Sequence, residues 1–205
     1  YNSWMWKRHA GFDVVTYDGI GATQAIRHTM NKVPEMIWTK RRDGTTNWHV
    51  YHKDLNNGSN AWEYYLHVNT NGQAGNVDVW SSTPTSATFS ITTNGDNANG
   101  SKNIAMLFAS VDGISKVGSY TGDGGSSNAI SCGFQPRLLI TKKINGASHW
   151  KLYDSESGTT RRRLDTNDSP TNDALVSLTS TGFTLTSPDG TMNGNNDKYI
   201  FYAHA

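Results

Sequence analysis

Residues 39–55, TKRRDGTTNWHVYHKDL, crowd Lys40, Arg41, Arg42, Asp43, Trp48, His49, Tyr51, His52, Lys53 and Asp54 into one stretch. Imidazoles beside carboxylates are the groups of general acid–base catalysis, paired histidines suit zinc, and cations interleaved with aromatics suit nucleic acid. Spacing weakens the metal reading, because His49 and His52 are three apart and a strand places them on opposite faces. A second stretch weakens the catalytic one. Residues 141–154, TKKINGASHWKLYD, carry the same frame of two basic residues, a polar turn and Trp-x-x-Tyr. Lys40, Trp48 and Tyr51 return as Lys142, Trp150 and Tyr153, whereas the imidazoles have no shared position. A reactive site used twice keeps its reactive groups, and a structural unit built twice keeps its packing residues. Asp43-Gly44 and Asn145-Gly146 supply hairpin turn chemistry, so both stretches read as β-hairpins whose Trp packs inside.

Four further groups carry possible chemistry. The carboxylates Glu63, Asp154 and Glu156 could pair across a cleft as glycosidase acids, but nothing in their spacing marks them out. Two oxygen-rich loops at matching places hold Asp96 and Asn97 in one case and Asp189 and Asp197 in the other, donors that suit calcium. Arg161-Arg162-Arg163 is the densest positive run, read either as a guard on a strand edge or as a contact for an anionic polymer or partner protein. Residues 61–80 hold Trp62, Tyr64, Tyr65, His67 and Trp80, where the second half is shorter and less aromatic. Rings of this kind stack on the apolar faces of sugars while fixed polar groups set orientation. These five residues are therefore the expected recognition surface. Cys132 reads as a small buried residue, and no G-x-S-x-G, P-loop or H-E-x-x-H motif occurs.

The elements that must position these groups are strands. Val15-Thr16-Tyr17-Asp18-Gly19 returns as Gly118-Ser119-Tyr120-Thr121-Gly122, and Pro34-Glu35-Met36-Ile37-Trp38-Thr39-Lys40 as Pro136-Arg137-Leu138-Leu139-Ile140-Thr141-Lys142. Phe89 and the run Ile104 to Ala109 return as Phe183 and Ile200 to Ala205. The period is too long for a solenoid, so these are duplicated domains. Residues 13–17, 48–52 and 117–120 alternate as half-buried strands, while 35–40 and 137–142 are continuously apolar, as strands covered on both faces are. The expectation is an all-β protein of two tandem homologous β-sandwich or jelly-roll-like units with little or no helix. The first copy spans residues 1–112, with a Trp-rich N-terminal segment, and the shorter second copy spans 113–205. The short join at residues 110–116 favours contact between them.

Composition narrows the function. With 18 Lys+Arg against 17 Asp+Glu, the formal net charge is +1, which disfavours a nucleic-acid grip. No apolar run approaches the roughly 20 residues of a membrane span. The single cysteine allows no intrachain disulfide, so stability rests on packing or assembly. The chain begins at Tyr1, which reads as a processed product or a piece of a longer protein.

Trp4-Met5-Trp6-Lys7-Arg8, Gly11-Phe12-Asp13-Val14-Val15, Trp48-His49-Val50-Tyr51-His52 and above all Leu107-Phe108-Ala109-Ser110-Val111-Asp112-Gly113-Ile114-Ser115-Lys116-Val117-Gly118-Ser119-Tyr120 carry a resemblance. The chain resembles a duplicated β-domain of tail-fibre and other virion proteins of tailed bacteriophages, especially those of marine bacteria and cyanobacteria. The resemblance implies a non-enzymatic virion protein, a tail-fibre or receptor-binding domain contacting a host-surface glycan. It implies homo-oligomers such as trimers, and other virion proteins as partners, with no cofactor beyond the calcium considered above. A purely structural capsid-decoration or fibre-shaft module is the alternative, and a polysaccharide-degrading tailspike domain is a third reading.

Overall fold

The computed structural model describes residues 11–77, 79–93 and 95–205. The Trp-rich segment containing Trp4 and Trp6, and Asn94 of one oxygen-rich loop, lie outside the described residues. The first half of the chain forms β1 (Phe12–Asp18), β2 (Gln24–Arg27), β3 (Met36–Arg41), β4 (His49–His52), β5 (Tyr64–His67), β6 (Gly75–Asn76), β7 (Thr88–Ile91) and β8 (Lys102–Phe108). The second forms β9 (Ser115–Thr121), β10 (Asn128–Ser131), β11 (Leu138–Lys143), β12 (Lys151–Asp154), β13 (Thr160–Arg163), β14 (Thr171–Asn172), β15 (Val176–Thr179), β16 (Gly182–Leu185) and β17 (Lys198–His204). Helix among the described residues is limited to 3-10 turns at Leu55–Gly58, Ala61–Glu63 and Gly95–Asn97. The protein is all-β, of sandwich type.

The two halves repeat one topology. A six-stranded antiparallel sheet runs β1-β8-β3-β4-β5-β6 in the first half and β9-β17-β11-β12-β13-β14 in the second. A small sheet faces each: β2-β7, with Trp80 bridging to Ile91, and β10-β16-β15. The repeated glycine after the first strand has a steric cause. A Cβ on Gly19 would lie 2.2 Å from the Ala98 carbonyl oxygen, and one on Gly122 would lie 2.1 Å from that of Gly194. Each glycine lets the first strand end pressed against the loop before the last strand, bonded to it through Gly19 N–H to Ser101 O and Gly122 N–H to Asp197 O, both 2.8 Å.

Strand alternation divides each large sheet into two apolar faces. Ile37, Tyr51, Ala105 and Leu107 turn toward Trp80, Phe89 and Ile91 of their own small sheet; Leu139, Tyr153, Tyr199 and Phe201 do so in the second half, toward Phe183 and Leu185. The opposite faces meet each other. Trp38 packs edge-on against Trp150 at 6.3 Å between ring centres, and Phe108 against Tyr202 at 5.0 Å. Leu138, Ile140, Leu152 and Ile200 join the same core as Met36 and Val50. Polar bonds stitch the join: Trp150 Nε1 donates to the His67 carbonyl at 2.7 Å, Ser148 N to Asn71 O at 2.9 Å and Ala74 N to Ile144 O at 3.0 Å. This is why residues 35–40 and 137–142 read as continuously apolar: β3 and β11 have a small sheet on one side and the other half of the chain on the other.

The repeated lysine is a turn brace. Lys40 Nζ donates to the carbonyls of Arg41 at 2.8 Å and Gly44 at 3.0 Å, and Lys142 Nζ to that of Lys143 at 2.8 Å. Lys142 is fully buried against the first half, and burial pushes its ammonium down to about 8.

Candidate functional site

The opening stretch is the β3–β4 hairpin, with Thr39 opposite His49 and Met36 opposite His52. The two histidines do face opposite ways. His52 is buried on the face shared by the halves, while His49 looks to the other side and stays partly exposed. Trp150 is buried as expected of a packing residue, whereas Trp48 sits just before β4 and is only half-buried.

On the His49 side, strand register builds a cluster. β5 places His67 directly opposite His49, and alternation brings Tyr65 to the same face. The ring centres lie 4.8 Å apart for His49 and His67, 5.0 Å for Tyr65 and His67, and 5.8 Å for His49 and Tyr65. Behind them, the loop before β8 inserts Asp96, whose carboxylate takes His49 Nδ1 at 2.8 Å, Thr39 Oγ1 at 2.8 Å and Thr46 Oγ1 at 3.1 Å. Burial alone would raise the Asp96 carboxyl, but the hydrogen bond and charge of His49 and the two hydroxyls outweigh it and hold it below its usual range. Asp96 is therefore an anion that fixes the His49 ring through Nδ1. His67 is pushed down to about 4, first by desolvation and then by His49, so it is neutral at pH 7. In front, exposed Asn47 and Asn69 bond to each other at 2.8 Å, and Asn47 Nδ2 approaches His67 Nδ1 at 3.4 Å.

The arrangement supplies two imidazoles, a phenol ring and a rim of amides on one half-exposed face. Such groups hold a polyhydroxylated ring by stacking and paired hydrogen bonds. The second half has the same positions with other chemistry. Lys151 stands opposite Arg163 where His49 stands opposite His67, and Thr141 Oγ1 meets the Met192 sulfur at 3.2 Å where Thr39 meets Asp96. The cluster belongs to the first copy alone.

Of the five expected recognition residues, Tyr65 and His67 thus come together. Trp80 does not join them: it is buried in the first sandwich, edge-on to Tyr51 at 5.9 Å, so its ring cannot meet a ligand. Trp62, Tyr64 and Tyr65 are all half-buried and packed on the core, but Tyr64 lies on the opposite face of β5 from Tyr65 and Trp62 in the 3-10 turn before it. The sequence reading missed His49, Asp96 and Asn47 as partners of His67. Its available signal was copy-specific difference, above all Asp96 against Met192.

Each of the four residues weighed for calcium already has protein partners. Asp96 is engaged by His49 and the two threonines. Asn97 ties its loop to the segment after β1, taking Ile20 N–H and Gln24 Nε2 on its oxygen and giving Nδ2 to the carbonyls of Ala22 and Thr92. Asp189 accepts from the Thr191 N–H and hydroxyl, and Asp197 pairs with Lys143 at 2.6 Å. They brace turns, and no group of three or more His, Cys, Asp or Glu suited to a metal occurs among the described residues. The arginine run is likewise neutralised. Arg161 pairs with Asp173 at 3.0 Å, Arg162 with Asp154 and Arg163 with Asp168, both at 2.7 Å, and β13 is an inner strand rather than an edge. Of the carboxylates weighed as acids, Asp154 is thus tied to Arg162, and Glu156 to Arg137 at 3.3 Å.

A family described as a domain of unknown function, DUF7483, covers residues 5–205. The chain belongs to the DUF7483 family. The match runs through both halves, so the family unit is the duplicated pair. No curated protein and no solved structure matches the chain.

Proposed function

We propose that this DUF7483 chain is a non-enzymatic recognition domain of a phage virion, carried on a tail fibre or similar oligomeric projection, and that its β4–β5 face contacts a glycan on the host surface. The observation that carries the reading is the gathering of His49, Tyr65 and His67 on one half-exposed face, oriented from behind by Asp96 and rimmed by Asn47 and Asn69. The sequence resemblance to phage virion domains supports the setting, and an even charge balance fits contact with neutral sugars. The burial of Trp80 and the packing of Trp62 favour a second reading, a structural module with no ligand.

The test is binding of the fluorescently labelled, folded and assembled chain to a panel of bacteria before and after periodate oxidation of surface sugars. Binding that periodate abolishes, and that falls at least tenfold in a Tyr65→Leu, His67→Asn double variant, is expected. His67 is bonded to Trp150 through its backbone, so its side chain can change without loosening that join. Absence of binding across the panel would leave the structural module as the better reading.

A further inference from the structure

The packing of the two halves leaves a cleft at its edge. The loop after β4 reaches toward the β9–β17 edge, and a cavity of about 260 Å³ opens between them, lined by Asp54, Asn57, Ser119, Thr121, Ile144 and Lys198. The lining is contributed by both halves, so the cavity exists only because they pack together. Its chemistry is mixed in a specific way. Asp54 offers a carboxylate that accepts from hydroxyls, Asn57 an amide that donates and accepts, Ser119 and Thr121 hydroxyls that do both, and Lys198 an ammonium that donates. Lys198 Nζ is held toward the cleft wall by Thr121 Oγ1 at 2.7 Å. One carboxylate and one ammonium cancel, so neither an anion nor a cation is favoured. Ile144 adds an apolar surface at the cavity wall. The volume lies below the roughly 300–1,000 Å³ of pockets for drug-sized ligands, which limits the occupant to about one ring.

We propose that this cleft is a second binding site, for a single neutral, polyhydroxylated ring such as one pyranose unit. The site shares no residue with the β4–β5 face and stands whether or not that face binds glycan. Asn57 provides a clean probe. Its backbone is left-handed, with φ 55°, a conformation glycine adopts freely, so Asn57→Gly removes the amide while favouring the existing loop.

The test is titration of the ¹⁵N-labelled full chain with neutral methyl pyranosides, with glucuronate and glucosamine as charged controls, followed by amide chemical shifts. Saturable shifts at Ser119, Thr121 and Lys198 are expected with at least one neutral sugar, at least tenfold weaker in Asn57→Gly and unchanged in the Tyr65→Leu, His67→Asn variant. Three results would each overturn the proposal: no saturable shift at those amides, shifts indifferent to Asn57→Gly, or tighter binding of a charged sugar than of any neutral one.

Discussion

Acid should loosen this protein through His52. The ring is fully buried on the face where the two halves meet. Its Nδ1 accepts the Asp54 N–H at 3.1 Å, and Nε2 looks toward the Phe201 backbone without closing a well-formed hydrogen bond. Burial pushes the imidazole down to about 4 from an ordinary 6.5; Lys53 adds to this, while the carboxylates of Asp54 and Glu35 oppose it without prevailing. The folded state therefore keeps His52 neutral while the unfolded chain protonates it. Stability from this group is fully present above the unfolded value near 6.5 and is lost as pH falls toward 4. A depression of that size is worth about 3 kcal/mol, most of it lost between roughly pH 7.5 and 4.5. The assay is urea unfolding at several pH values in that window, for wild type and His52→Asn. Asparagine keeps an acceptor near the Nδ1 position but does not titrate. Other groups, including half-buried His67, contribute to both curves and cancel in the difference. The wild type should lose about 2 to 3 kcal/mol more than the variant across the window. Parallel curves would refute the reasoning and place the acid response elsewhere.

Two other outcomes follow from the packing. Trp150→Ala should cost about 3–5 kcal/mol, the range for emptying a large aromatic site, and should destabilise both halves together, seen as one unfolding transition by fluorescence and by far-ultraviolet dichroism. Two separated transitions would show that the halves melt independently. Gly122→Ala should cost at least about 2 kcal/mol in the same assay, because its Cβ would run into backbone rather than a movable side chain, whereas Gly190→Ala, which has open space around it, should be near neutral.

Much of the fold could be read from the chain because its signals are local. Alternation in residues 13–17 and 117–120 and the repeated Pro34 and Pro136 place strands without knowledge of their neighbours; Asp43-Gly44 and Asn145-Gly146 do fall in the hairpin connections, but these are wide loops in which neither glycine takes the positive φ of a tight turn. The short strands β5, β6, β13 and β14 were not legible, since Tyr65 and Arg161 occupy matching positions yet share no pattern. The site was half legible. Aromatic density pointed to residues 61–80, but density does not say which way a ring faces, and Trp80 went inward. His49 meets His67 through register across two strands and meets Asp96 across a span of 47 residues. Such meetings are decided by long-range pairing, which no window along the chain contains.

The face-to-face join also bears on how many units such a chain can hold. Each unit meets its twin with the same side of the same sheet, Trp38 and Phe108 in one, Trp150 and Tyr202 in the other. An association of that kind is self-limiting: once two units have met, the sticky surface of each is used up. A third tandem copy would arrive with an unmatched apolar sheet and no vacancy to receive it. Units of this architecture should therefore be found in even numbers, with growth of any larger assembly left to other surfaces.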